Sequence, residues 1–180
     1  MCTVTVPWSR GQTMKLKICL SIVAPAVAIS AAIWFVSRIP EGDNPAVILG
    51  HSLESQVDVP RNVEAILVRS CKDCHSNETR WPLYSRLPVV SDLIQEDVSR
   101  ARSQMNFSEW NTTDSWSQDE ERAALSGICE ELRSGDMPLA RYWRIHRDSR
   151  LTKAEVETVC AWTDRAGSSL SQHSDASVHR

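Results

Sequence analysis

The chain has 180 residues, 42% of them apolar, which is enough for one core of ordinary size and leaves little for a second full domain. Its first 37 residues carry Arg10, Lys15 and Lys17 and no acid, so the remainder sets 17 basic against 23 acidic residues, a net charge of −6. A mildly acidic domain with scattered arginines argues against nucleic acid as a partner, because phosphate binding needs a clustered basic face.

Residues 18 to 36 read ICLSIVAPAVAISAAIWFV, an uncharged run of 19 residues with Lys15 and Lys17 before it and Arg38 after it. As a helix it spans roughly 28 Å, close to the ~30 Å hydrocarbon layer of a bilayer, with Trp34 placed for an interface. Segment 1–37 is therefore expected to be an export segment and membrane anchor. Small residues such as Ser30 and Ala32 also offer an A-x-A-like cleavage site, which keeps a removable signal peptide open beside the anchor. In both cases the positive flank holds the N-terminal side in the cytoplasm, and residue 38 onward crosses. The expected location is the bacterial inner membrane, single-pass, with the domain in the periplasm. Cys19 follows the bulky Ile18, which does not suit lipidation, and Met14 opens a more usual export signal than the residues before it.

Residues 38–57 hold Pro40, Gly42, Pro45 and Gly50 among polar residues and read as a linker. A domain at 58–167 follows, and the polar stretch 168–180 reads as a frayed tail. Four helices are predicted in the domain. The first opens near Pro60, and Val63, Ile66 and Leu67 form an apolar stripe that leads into Cys71. The second begins near Pro88 and carries Val89, Leu93, Ile94 and Val98. The third opens on the capping box Ser117 to Glu120 and closes at Gly135 after Ile128, Cys129 and Leu132. The fourth opens on a second capping box, Thr152 to Glu155, with Leu151 stapled to Val156. It buries Val159, Cys160 and Trp162 and ends at Gly167. No alternating run suggests a sheet, so the fold class is all-α, a cytochrome c-like helical domain after an N-terminal transmembrane or signal helix.

Between the first two helices stands Cys71-Lys72-Asp73-Cys74-His75, the C-x-x-C-H pattern of c-type haem attachment. Two thiols separated by two residues reach the two vinyl groups on one edge of a porphyrin, and the histidine that follows is held beneath the iron. A zinc site would need two further ligands, and no second C-x-x-C or H-x₃-H pair exists. A thioredoxin-like pair expects a strand before it, where a helix is predicted. A structural disulfide explains neither the histidine nor the spacing.

Met137, in Gly135-Asp136-Met137-Pro138, is the candidate sixth ligand. A methionine between Asp and Pro just outside a helix is poorly placed for a core, and its soft thioether suits low-spin iron. His146 and Met105 are its rivals. Trp81, Tyr84, Trp110, Tyr142 and Trp143 divide evenly between pocket lining and core, whereas Arg80 reads as a solvated arginine ahead of a partner for a haem propionate. Cys129 and Cys160 lie on buried faces of two predicted helices, where a disulfide and two separate thiols are comparable readings.

The stretch CKDCHSNETRWPLYSRLPVVS at 71–91, NFSEW at 106–110, GDMPLARY at 135–142 and IHRDSRLT at 145–152 together resemble the bacterial haem-binding domain family of small c-type cytochromes. The resemblance covers about residues 58 to 166. It implies one covalent haem c in an exported helical domain, with Cys71, Cys74 and His75 as the attachment set and Met137 as the distal residue. Some members are fused to peroxidase-like haem domains, but this chain has a single C-x-x-C-H, so only a mono-haem role carries over.

The function expected is electron transfer with protein redox partners, without a bound substrate and therefore without enzyme activity. A gas sensor or peroxidase-type enzyme would instead keep an open iron position, and a thiol-exchange assembly protein would carry no haem.

Overall fold

The computed structural model describes residues 10–38, 42–110 and 116–178, with side chains from residue 23 to 170 apart from Val36. These residues contain eight α-helices and no strand. They fall into two units: the long helix α1 (Arg10–Arg38) with the segment 82–91, and the unit formed by 42–81 with 92–178.

In the first unit, Val23, Val27, Ile29, Ile33, Trp34 and Phe35 of α1 are all exposed. Among the described residues no helix is long and apolar enough to cross a membrane. The side chains of residues 18–22, the start of the expected span, lie outside the described ones.

The second unit holds the core. In α3 (Arg61–Ser70) Val63, Ile66 and Leu67 recur at helical spacing and are buried, and the Pro60 carbonyl accepts the Glu64 amide at 2.9 Å as the helix opens. Helix α6 (Gln118–Ser134) buries Leu125, Ile128, Cys129 and Leu132 along one stripe. Its predicted capping box is present in both directions: the Ser117 hydroxyl accepts the Glu120 amide, and the Glu120 carboxylate accepts the Ser117 amide. Helix α8 (Lys153–Val178) lies along α6 and buries Val159, Cys160, Trp162 and Ala166. Its box is also closed, with Glu155 accepting from Thr152 N–H at 2.8 Å.

Cys129 and Cys160 are joined as a disulfide between α6 and α8, with Cα atoms 4.8 Å apart, so the pairing alternative holds over separate thiols. Helix α3 is tied to α8 by the Arg69–Glu155 ion pair at 2.6 Å.

Several sequence expectations are corrected here. Gly167 does not end α8, which runs on to Val178 through the expected tail; the glycine instead admits the Arg122 side chain, which a Cβ would meet at 3.0 Å. Residues 38–57 are more than a spacer, because α2 (Leu53–Gln56) places Leu53 fully inside the core and Val57 beside it. In α5 (Val90–Gln104) the buried apolar residues are Val98 and Ala101, whereas Val89 and Leu93 are exposed. The stripe follows the turn that faces the core rather than the first apolar cluster in the chain.

Candidate functional site

Helix α3 breaks at Cys71, whose backbone leaves helical values at φ −128°, and one further turn, α4 (Lys72–His75), follows. The amides of Cys74 and His75 both donate to the Cys71 carbonyl, at 3.1 and 3.0 Å. That single turn brings positions i, i+3 and i+4 to one side, which is how the motif presents two sulfurs and an imidazole together.

Cys71, Cys74 and His75 share the wall of a cavity of about 290 Å³ with Met137, Leu139, Tyr142 and Arg141. A second cavity of about 450 Å³ adjoins it through Cys71, His75, Arg100 and Met137 and reaches Phe107 and Leu132. All four sequence-predicted site residues are therefore brought to one cleft. Ser70, also in the wall of both cavities, has a buried hydroxyl with no hydrogen-bond partner among the described residues.

The imidazole is held by groups distant in the chain. His75 Nδ1 lies 3.0 Å from the Met105 carbonyl and can only donate to it, which leaves Nε2 as the nitrogen with a free lone pair. Burial also pushes the imidazole pKa down, which favours the neutral ring. The Phe107 ring stacks on the imidazole at 5.8 Å, and the Phe107 amide donates to the His75 carbonyl at 2.7 Å.

Around this pair runs a buried polar network. Asn77 donates to Glu109 at 2.7 Å, Asn106 donates to Asn77 at 2.8 Å, and the Asn77 amide donates to the Ser108 hydroxyl at 3.0 Å. Trp110, 1% exposed, donates through its indole to Glu121 at 2.9 Å. The NFSEW stretch is thus the bracket that holds the loop after His75.

Both motif thiols are free, whereas the Cys129 and Cys160 sulfurs are bonded. Burial pushes the Cys71 thiol up to about 12, helped by the neighbouring Cys74, and pushes Cys74 up to about 11. A thiol-exchange site needs the opposite shift, toward the thiolate.

Asp73, between the cysteines, is a hub that the sequence reading missed. It accepts two bonds from the Arg80 guanidinium at 2.9 and 3.1 Å and one from the Tyr142 hydroxyl at 2.7 Å. Arg80 thus stands in solvent, its side chain 67% exposed, while its guanidinium also braces the motif turn through Asp73. The Tyr142 phenol is pushed up by burial and by that bond.

Opposite His75, Gly135 ends α6 at φ 82°, in the left-handed region that glycine reaches without strain. The Met137 amide folds back to the Glu131 carbonyl at 3.2 Å, the following Met137–Pro138 peptide is cis, and the methionine side chain packs against the core.

Of the two rivals, His146 stands elsewhere and Met105 shares the cleft. His146 stacks on Tyr142 at 4.4 Å and is absent from both cavity walls, and Met105 serves His75 through its carbonyl while its side chain lines the larger cavity. Of the five aromatics, Tyr142 lines the cleft. Trp81 donates to Asn44 and packs over Gly42, Trp110 is core, Trp143 lies under Arg144 and Arg150, and Tyr84 belongs to the other unit.

A family model described as a haem-binding domain matches residues 29–165. No curated protein and no solved structure matches the chain. Because that match takes in most of the chain and every residue of the cleft wall, the chain belongs to the haem-binding domain family.

Proposed function

We propose that this domain carries one covalently attached haem c and works outside the inner membrane as an electron carrier. The single observation that carries the reading is the imidazole of His75, fixed through Nδ1 by the Met105 carbonyl, in one cleft with two free thiols and Met137. The cleft suits the group: it is mainly apolar, it lies in the ~300–1,000 Å³ range that holds cofactors, and one nitrogen is left to bind iron.

In this reading Cys71 and Cys74 would hold the haem through thioethers, and His75 Nε2 and Met137 Sδ would bind its iron. When bound, the haem supplies a one-electron iron couple. The protein's part is to keep both ligands in place in both oxidation states. Phe107 and the Met105 carbonyl fix the histidine, and the Gly135 turn with Pro138 sets the thioether.

Export is supported by the Cys129–Cys160 disulfide, which persists in an oxidising compartment, and by the uncovered apolar side chains of α1 behind a basic flank. Residues 18–36 then anchor the domain on the periplasmic side.

Protein made together with a haem-attachment system should retain one haem by mass spectrometry after denaturation, and Cys71→Ser with Cys74→Ser should lose all of it. Met137→Ala should remove the weak ferric sulfur-to-iron charge-transfer band, lower the midpoint potential and admit carbon monoxide. A wild-type protein that already binds carbon monoxide rapidly, with a spectrum indifferent to Met137→Ala, would replace the carrier reading with a gas sensor or peroxidase.

A further inference from the structure

Helix α7 (Ala140–Ile145) and the 3-10 turn Arg147–Ser149 leave the cleft by way of Arg141 and Tyr142, which line its smaller cavity. Residues 139–151 hold Arg141, Arg144, Arg147 and Arg150 against Asp148 alone, a net +3 within a stretch, residues 38–180, of net −6. Spaced at every third position, these arginines read as scattered in the sequence. The fold brings two of them together. Arg144 and Arg150 both lie over the Trp143 ring, at 5.8 and 4.7 Å, and Arg144, Arg147 and Arg150 are exposed. Arg141, by contrast, is paired with Asp97. No ion pair is found for Arg144, Arg147 or Arg150 among the described residues. Amid these charges Ile145 is 65% exposed.

An apolar centre with a cationic rim, opposite in sign to the rest of the domain and starting at the cleft mouth, has the form of a surface that steers and then releases a negatively charged partner. We propose that Arg144, Arg147, Arg150 and Ile145 form the docking surface for an acidic redox protein. The inference rests on the electron-carrier reading and adds the site and sign of the encounter. The occupant is set by charge complementarity: the domain as a whole repels acidic proteins, and this ridge gives one a place to dock beside the haem cleft.

The test turns on a sign. With the full chain in neutral detergent, the rate of electron exchange with anionic hexacyanoferrate should fall about tenfold as ionic strength rises from ~10 to ~200 mM, although the domain is net negative. Cationic hexaammineruthenium should show no such fall.

Arg144→Gln, Arg147→Gln and Arg150→Gln together should flatten or invert the hexacyanoferrate slope while the haem spectrum and circular dichroism stay unchanged. A wild-type rate that rises with salt, or a slope untouched by the triple variant, overturns the proposal. Poly-L-glutamate binding at low salt, followed by tryptophan fluorescence and lost in the triple variant, reads the ridge without haem. Failure of haem attachment therefore sinks the carrier reading alone, and failure to bind the polyanion sinks the ridge alone. An unchanged slope in detergent, with protease protection in phosphatidylglycerol nanodiscs lost in the variant, would assign the ridge to lipid headgroups instead.

Discussion

The two walls of the cleft are built differently. On the His75 side the ring, the carbonyl and the following loop are each held by a separate partner: Phe107, the Met105 carbonyl, and the Asn77, Asn106, Ser108 and Glu109 network. On the Met137 side one main-chain bond, to Glu131, folds a loop that hangs from the end of α6. Asn77 and Ser108 are buried and Asn106 is half-buried, with only Glu109 of that network exposed, so most of its bonds carry the larger energies of a low-dielectric site. The lesson is a division of labour. His75 is placed by packing that the fold needs in any case, and Met137 is placed by where a helix stops. On the function proposed above, a domain made this way would keep His75 on the iron through changes that dislodge Met137.

Phe107→Ala should produce the largest effect, because it empties a 3% exposed site beneath the imidazole and should cost ~3–5 kcal/mol in urea unfolding. A cost below ~1 kcal/mol, with the haem spectrum intact, would show that the His75 wall is not the stiffer one. Next comes the disulfide, which braces α6 and so the root of the Met137 loop. Cys129→Ser with Cys160→Ser opens a cross-link of sequence separation 31 and should cost ~2–4 kcal/mol. Carbon monoxide should then enter faster while the His75 ligation signature stays. Loss of the histidine signature first would reverse the comparison.

The smallest effect is expected at Glu155, which ties α3, the helix leading into Cys71, to α8. The Thr152 amide and then the Arg69 guanidinium hold its carboxyl down from 4.5 to about 2. A depressed carboxylate contributes its stability in full above the unfolded value near 4.5 and loses it as pH falls toward about 2. Its side chain is 26% exposed, so solvent screening reduces the contribution to ~1 kcal/mol. Glu155→Gln should therefore lower stability by ~1 kcal/mol at pH 7 and by nothing measurable near pH 2. An equal loss at both ends would assign the effect to packing instead of charge.

What the sequence by itself determined are the features that close within one or two turns. The C-x-x-C-H turn, the two capping boxes, the buried stripes of α3, α6 and α8, and the Gly135 stop depend on residues three to seven apart, and spacing alone reports them. Only the tertiary structure decided the rest. It brought the Met105 carbonyl to His75 across 30 residues, bound Asp73 to Tyr142 across 69, and set Cys160 against Cys129 across 31. It also turned Gly167 from a helix stop into room for Arg122, and brought together two arginines that the chain spreads out. Local spacing carries no record of these pairings. They depend on which helix faces meet, and that is set by burying the apolar stripes together, after which each polar group bonds to whatever the packing places beside it.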